Sequence, residues 1–153
     1  MKLEEELKMQ QFTDHFQRAY LNIIFTANWI EDRMQQDLKQ YKLTAPQFNV
    51  LRILRGQKGK PISAFGIQER MIHRTSNVTR ILEKLVEKGL VNRVNNAVNR
   101  RMIDVTLTEK GLTLINETDR LAQESYRLIS GVLSEQEARK LGDWLDKIRD
   151  AAE

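Results

Sequence analysis

The 153-residue chain contains no cysteine, so disulfides, thiolate metal sites and thiol redox switches are all excluded. Its two histidines, His15 and His73, have no carboxylate partner at metal-ligand spacing, and no glycine-rich phosphate loop appears. These absences argue against an enzyme, and neither a metal nor a cofactor is expected. No stretch approaches the roughly 18 consecutive apolar residues of a membrane span. The opening MKLEEELKMQQ is charged and mixed, unlike a secretory signal, so a cytoplasmic protein is expected, with no membrane partner. No internal repeat or low-complexity stretch is present.

What is present is a composition of 41% hydrophobic and 30% charged residues, as in a soluble globular domain. The net charge of +4 conceals a sharper division. Between Arg52 and Lys110 there are 13 lysines and arginines against 5 acidic residues, a local charge of +8, while the remainder carries −4. A basic centre between acidic flanks concentrates attraction for polyanions on one surface.

Apolar residues at Phe12, Phe16, Tyr20, Ile23, Ile24, Ala27, Ile30, Met34 and Leu38 predict a long helix from Leu7 to about Gln40. Thr44-Ala45-Pro46-Gln47 reads as the start of a second helix running to about Arg55 or Gly56, with Thr44 as cap and Gln47 completing a capping box. Ser63 caps a short third helix through Arg70 or Met71, with Phe65, Ile67 and Met71 expected to face inward. Gly66 weakens that helix by about 1 kcal/mol relative to alanine. After a turn over residues 72–74, TSNVTRILEKLVEKG from Thr75 to Gly89 places Val78, Ile81, Leu82 and Leu85 on one buried stripe. Thr75, Ser76, Thr79, Arg80 and Lys84 occupy the other face. Gly89 ends the helix.

Residues 90–94 and 102–107 alternate apolar and polar positions around Asn95-Asn96, which predicts a two-stranded ribbon with Leu90, Val94, Ile103, Val105 and Leu107 packed. Thr108 then caps a long helix to about Ser130, and Ser134-Glu135-Gln136-Glu137 opens a last helix toward Ala152. The fold class is mainly α with a small β-wing: a winged helix-turn-helix core between long N- and C-terminal helices. The flanks hold more aromatic and aliphatic residues than a small winged domain covers by itself. A helical homodimer is the economical explanation, with Phe12, Phe16, Leu133, Leu141, Trp144, Leu145 and Ile148 as dimerisation candidates.

The segments SNVTRILEKLVEKGLVNR (76–93) and NRRMIDVTLTEKG (99–111) resemble the MarR family of dimeric winged helix-turn-helix transcription factors, and the likeness extends over nearly the whole chain. Leu107, Thr108 and Gly111 match the family's closing Leu-Thr-x-x-Gly. The resemblance implies a single domain of 1–153, with 1–42 and 112–153 as dimerisation helices and 43–111 as the DNA-binding lobe. One departure stands out: the wing position that is usually aspartate is Asn99, which offers a neutral carbonyl where a carboxylate could hold Arg101 by a charge-assisted bond.

An α-helix fits the major groove, where arginine pairs with guanine and asparagine with adenine. Arg80 and Asn77 are therefore the base-reading candidates; a phosphate contact competes for Arg80, and a local cap for Asn77. Thr75, Ser76 and Thr79 suit positioning on phosphate, and Arg74 and Lys84 add sequence-independent attraction, although Lys84 can also pair with Glu87 or Glu83. Of the wing residues Asn99, Arg100 and Arg101, the motif position favours Arg101 for the minor groove, with Arg100 on the backbone. His73 reads as an exposed turn histidine.

A dimer bearing two such heads would bind a pseudo-palindromic double-stranded operator with half-sites about 34 Å apart. The resemblance implies repression, relieved when a small aromatic or phenolic effector enters a cleft, for which Tyr20, Trp29, Arg33 and Phe48 are candidates; core packing explains the same aromatics. The rival reading is a winged-helix module for protein or RNA contacts, which would show exposed apolar residues in place of the hydroxyl, amide and basic groups expected here.

Overall fold

Asp14 decides where the first long helix begins. Its carboxylate accepts the Gln17 backbone N–H at 2.8 Å, while Gln17 Oε1 accepts the Thr13 N–H at 2.7 Å. In the computed structural model, which describes residues 1–96 and 103–151, helix α2 therefore runs His15–Leu38 rather than from Leu7. A separate four-residue helix, α1 (Leu3–Glu6), precedes it, and Lys8 at φ 51 interrupts any continuation between the two. Arg18 Nε donates to Glu4 Oε1 at 3.0 Å and pins α1 to α2. A 3-10 turn (Lys39–Tyr41) follows, and the Gln35 amide braces the chain beyond it by donating to the Leu43 carbonyl and accepting the Ala45 N–H. Residues Met1–Ala45 form one compact unit and Pro46–Glu153 another.

The second unit holds the remaining elements. Helix α3 (Ala45–Gly56), which starts one residue before its boundary, supplies Phe48, Val50, Leu51 and Leu54 to the core. Strand β1 (Ile62–Ser63) leads directly into α4 (Ala64–Gln68), whose Gly66 N–H is capped by Ser63 Oγ at 3.0 Å. Helix α5 (Val78–Glu87), strand β2 (Val91–Asn95) and strand β3 (Ile103–Leu107) follow. The chain closes with α6 (Glu109–Glu117), α7 (Asp119–Ser130) and α8 (Glu135–Asp150). The Ser134/Glu137 capping box on α8 forms as expected. Its hydrogen bonds hold the Glu137 carboxyl below the usual carboxylate range.

Four further expectations, on the ribbon, Val94, Phe65 and the helix after Thr108, also need correction. The ribbon is part of a three-stranded antiparallel sheet of order β1-β3-β2, because Ile62 pairs with Val105 and Ser63 with Asp104. Two residues of strand before a helix leave too short an alternation to detect. Val94 is 56% exposed, since buried Val91 sets the parity of β2 and turns Val94 outward. Phe65 is 71% exposed, because α4 turns Gly66 and Ile67 into the core, where a Cβ on Gly66 would stand 2.8 Å from Ile62 Cγ1. Finally, the helix after Thr108 breaks at Thr118. That residue is fully buried, bonds its hydroxyl to the Ile115 carbonyl at 2.8 Å and ends α6, while Asp119 is held by an ion pair to Arg55 of α3.

Helix α5 ends in a Schellman motif. Gly89 at φ 69 lets its N–H reach the Val86 carbonyl at 2.8 Å and the Leu90 N–H reach Leu85 at 2.9 Å. The start of α6 lies against this turn so closely that a Cβ on Gly111 would sit 2.0 Å from the Leu90 carbonyl oxygen. Gly111→Ala should therefore cost at least about 2 kcal/mol, since backbone must move, whereas Gly89→Ala, which meets no atom, should cost about 1 kcal/mol from its positive φ alone. Urea denaturation of the two variants with unchanged m-value measures the difference; equal losses would mean that the close approach carries no strain.

Candidate nucleic-acid interface

The physical basis of the site is the division of α5 into two faces. Val78, Leu82 and Leu85 are buried and Ile81 half-buried, while Thr79, Arg80 and Lys84 are exposed. Ahead of the helix Arg74 and Thr75 are exposed and Ser76 half-buried. Among the described residues the guanidinium of Arg80 has no hydrogen-bond or ion-pair partner, so it remains available to a ligand. Lys84 differs: its ammonium lies 2.9 Å from the Glu87 carboxylate in an exposed pair.

The start of this helix departs from the sequence expectation. Residues 75–77 are not helical, and Asn77 is the N-cap, its Oδ1 accepting the Arg80 N–H at 3.1 Å. The cap role anticipated for Asn77 is thus present, and it engages one lone pair of the amide oxygen. The turn before the cap is set by residues that the sequence did not single out. Asn49 of α3 accepts the Ile72 N–H at 3.0 Å, the Gln68 side-chain amide donates to the Arg74 carbonyl, and the Ser76 N–H reaches the His73 carbonyl at 3.1 Å. An amide inside a helix carries no sequence signal for a partner 23 positions away.

Just past the end of β2, Asn96 Nδ2 donates to both oxygens of Asp104, at 3.2 and 2.9 Å. Asn99, Arg100 and Arg101 lie outside the described residues. Behind the helix, Lys88 donates to Gln47 Oε1 at 3.0 Å, and burial lowers its pKa from the usual lysine value. Its carbonyl accepts Lys110 Nζ at 2.8 Å.

The other candidates sort by unit. In the first, Trp29 lines a cavity of about 150 Å³ with Met1, Leu3 and Phe25, and Arg33 stacks over its ring at 5.8 Å. Tyr20 is exposed, Phe12 half-buried, and Phe16 85% exposed. In the second, Phe48 is a buried core residue with Arg52 over its ring at 5.8 Å. Leu141, Trp144 and Ile148 are exposed at helical spacing on α8, while Leu133 and Leu145 are half-buried.

A cap role and a base-reading role for Asn77 respond differently to substitution. Asn77→Ala should lower stability by about 1 kcal/mol, and Asn77→Ser should restore most of it while leaving duplex affinity near that of the parent. Loss of sequence discrimination in a fully stable Asn77→Ser variant would assign Asn77 to base reading as well.

Residues 43–103 match the MarR family. The HTH-type transcriptional regulator PecS of Dickeya dadantii is 30% identical over 121 residues, covering 78% of this chain and 72% of that protein. The structure of a Staphylococcus aureus MepR–DNA complex superposes with a TM-score of 0.78 at 21% identity, over 88% of this chain and 96% of MepR. The organohalide-sensing regulator RdhR, in its 2,4-dichlorophenol-bound form, gives 0.76 at 19% identity, over 93% and 87%. Both superpositions report the shared fold. Among the described residues no helix is long and apolar enough to cross a membrane. The chain belongs to the MarR family and is a DNA-binding transcriptional regulator of the winged helix-turn-helix type.

Proposed function

We propose that the protein binds a pseudo-palindromic duplex operator as a homodimer and represses transcription by occupying it. The observation that carries this reading is the exposed face of α5, where the Arg80 guanidinium has no partner among the described residues and lies one turn from a capped helix start. Arg80 is assigned to a base edge, and Thr75, Ser76 and Thr79 to phosphate. Arg74 and Lys84 add charge, Asn77 positions the helix, and Asn99, Arg100 and Arg101 supply the wing contacts.

Segments 1–42 and 112–153 are assigned to dimerisation and 43–111 to DNA binding. Support for the dimer is the uncovered apolar stripe on α8, with Trp144 62% exposed, together with Phe16 on α2. The effector reading has RdhR's dichlorophenol complex as its precedent and Tyr20, Trp29, Arg33 and Phe48 as its candidate residues. Phe65 and Ile72, the latter 78% exposed, favour a second reading in which this lobe docks a protein. Duplex binding that is strong at low salt and falls steeply as salt rises separates the two.

Arg80→Ala should reduce discrimination between operator and random duplex by about 1 to 3 kcal/mol, while Lys84→Ala weakens both alike. Fluorescence anisotropy over a salt series measures this, and equal losses on both duplexes would remove Arg80 from base reading. The same titration with phenolic acids present tests the effector, for which unchanged affinity would count against release. A Trp144→Glu, Ile148→Glu double variant should sediment as a monomer and bind a two-half-site operator at least about tenfold more weakly. A double variant that stays dimeric would move the interface elsewhere.

A further inference from the structure

Within the second unit a cavity of about 360 Å³ opens between the C-terminal end of α3, the turn after it, the end of β3 and the start of α6. Leu54, Leu107 and Leu112 give it apolar walls, and Arg55, Lys58 and Lys60 also line it. None of these residues belongs to the DNA-reading or effector candidates.

The charges around the cavity are unequal. Arg55 is answered by its ion pair with Asp119. Lys58 and Lys60 have no side-chain partner among the described residues, and Glu109 is the one carboxylate of the lining. Two unanswered ammonium groups against one carboxylate leave a net positive charge beside an apolar wall. An inorganic anion would meet the lysines and leave the exposed surface of Leu107 and Leu112 wet. Lys58 and Lys60 are exposed, so a neutral hydrocarbon would cover the leucines and gain nothing from the two ammonium groups, whereas a compact apolar body bearing one negative group gains from both. The volume lies within the roughly 300–1,000 Å³ of small-molecule sites.

We propose that this cavity binds a small amphipathic organic anion, a carboxylate or phenolate whose apolar body rests on Leu54, Leu107 and Leu112 and whose charge meets Lys58 and Lys60. The site stands apart from operator recognition, and its test needs no DNA. Titration of the full-length protein with 2-naphthoate, followed by fluorescence and calorimetry, should saturate at one site per chain. The alcohol of the same ring system and inorganic phosphate should each bind at least about tenfold more weakly.

Leu112 is exposed, so Leu112→Glu places a carboxylate at the mouth at little risk to the fold and should abolish naphthoate binding with melting temperature unchanged. Should that variant fail to fold, a Lys58→Ala, Lys60→Ala double variant, altered only on the surface, should weaken naphthoate by about tenfold. The proposal is overturned by an absence of saturable binding, by equal binding of the alcohol, or by naphthoate affinity unchanged in the lysine variant. None of these results would bear on DNA binding, and a wild-type protein that ignored every duplex would leave this site standing.

Discussion

Three successive backbone carbonyls at the end of α5 hold the DNA-binding lobe together. Lys88, Gly89 and Leu90 accept, in order, from Lys110 Nζ at 2.8 Å, from the Thr108 hydroxyl at 2.8 Å and from the Thr108 N–H at 3.1 Å. A helix ordinarily leaves its last carbonyls to water, and here the Schellman turn takes those of Leu85 and Val86 while the start of α6 takes those of Lys88, Gly89 and Leu90. The Thr108 oxygen also accepts the Gly111 N–H at 2.9 Å, so one hydroxyl closes α5 and opens α6 at once. Such contact is sterically open only because position 111 has no side chain. The Leu-Thr-x-x-Gly motif is thus a joint: it fixes the recognition helix against the ribbon's last strand, and the geometry between them follows from it.

The opposite end of α5 is held by side-chain amides. Asn77 closes the helix start, Asn49 takes the Ile72 N–H, and Gln68 holds the Arg74 carbonyl. Each satisfies a backbone group in a turn too tight to satisfy itself, and none adds charge. Arg80 thereby projects from a start fixed by neutral bonds, its guanidinium without a partner among the described residues. Lys84, one turn further on, shares its charge with Glu87, and such an exposed pair contributes little to stability. The two cations of this face are therefore unequal: among the described residues Arg80 has no ion-pair partner, whereas Lys84 is already screened by Glu87.

Much of this was legible in the sequence because the strongest signals were local. The α5 stripe, Gly89, the caps at Ser63, Thr108 and Ser134, and the ribbon all rest on residues within a few positions of one another. What escaped depended on distant partners. Strand β1 exists because β3, some 40 residues later, offers it an edge. The break at Thr118 follows from a back-bonded hydroxyl and from the ion pair between Asp119 and Arg55, 64 positions apart. Asparagine suits both a cap and a base edge, and the bond from the Arg80 N–H shows the first of these roles for Asn77. The wing residues expected at Asn99, Arg100 and Arg101 rest on sequence alone.

Phe65 and Ile72 follow from the same packing logic. Close contact between Gly66 and Ile62 draws the small-residue face of α4 inward, and Phe65, one position earlier, is turned outward as a consequence. Ile72 is exposed because Asn49 fixes its backbone in the turn regardless of its side chain. Neither exposure stabilises the isolated lobe, and apolar groups left outside where a polar residue would serve tend to mark surfaces that meet something else. Ile72 lies two residues before Arg74, and Phe65 lies on α4, which packs against α5. On a lobe with a local charge of +8, apolar groups in that position suit a partner combining phosphate charge with sugar and methyl surface, which a duplex supplies along either groove. A protein surface with an apolar centre and an acidic rim offers the same combination, so the exposed apolar pair is what the docking reading rests on, while the face bearing Arg80 carries the duplex reading.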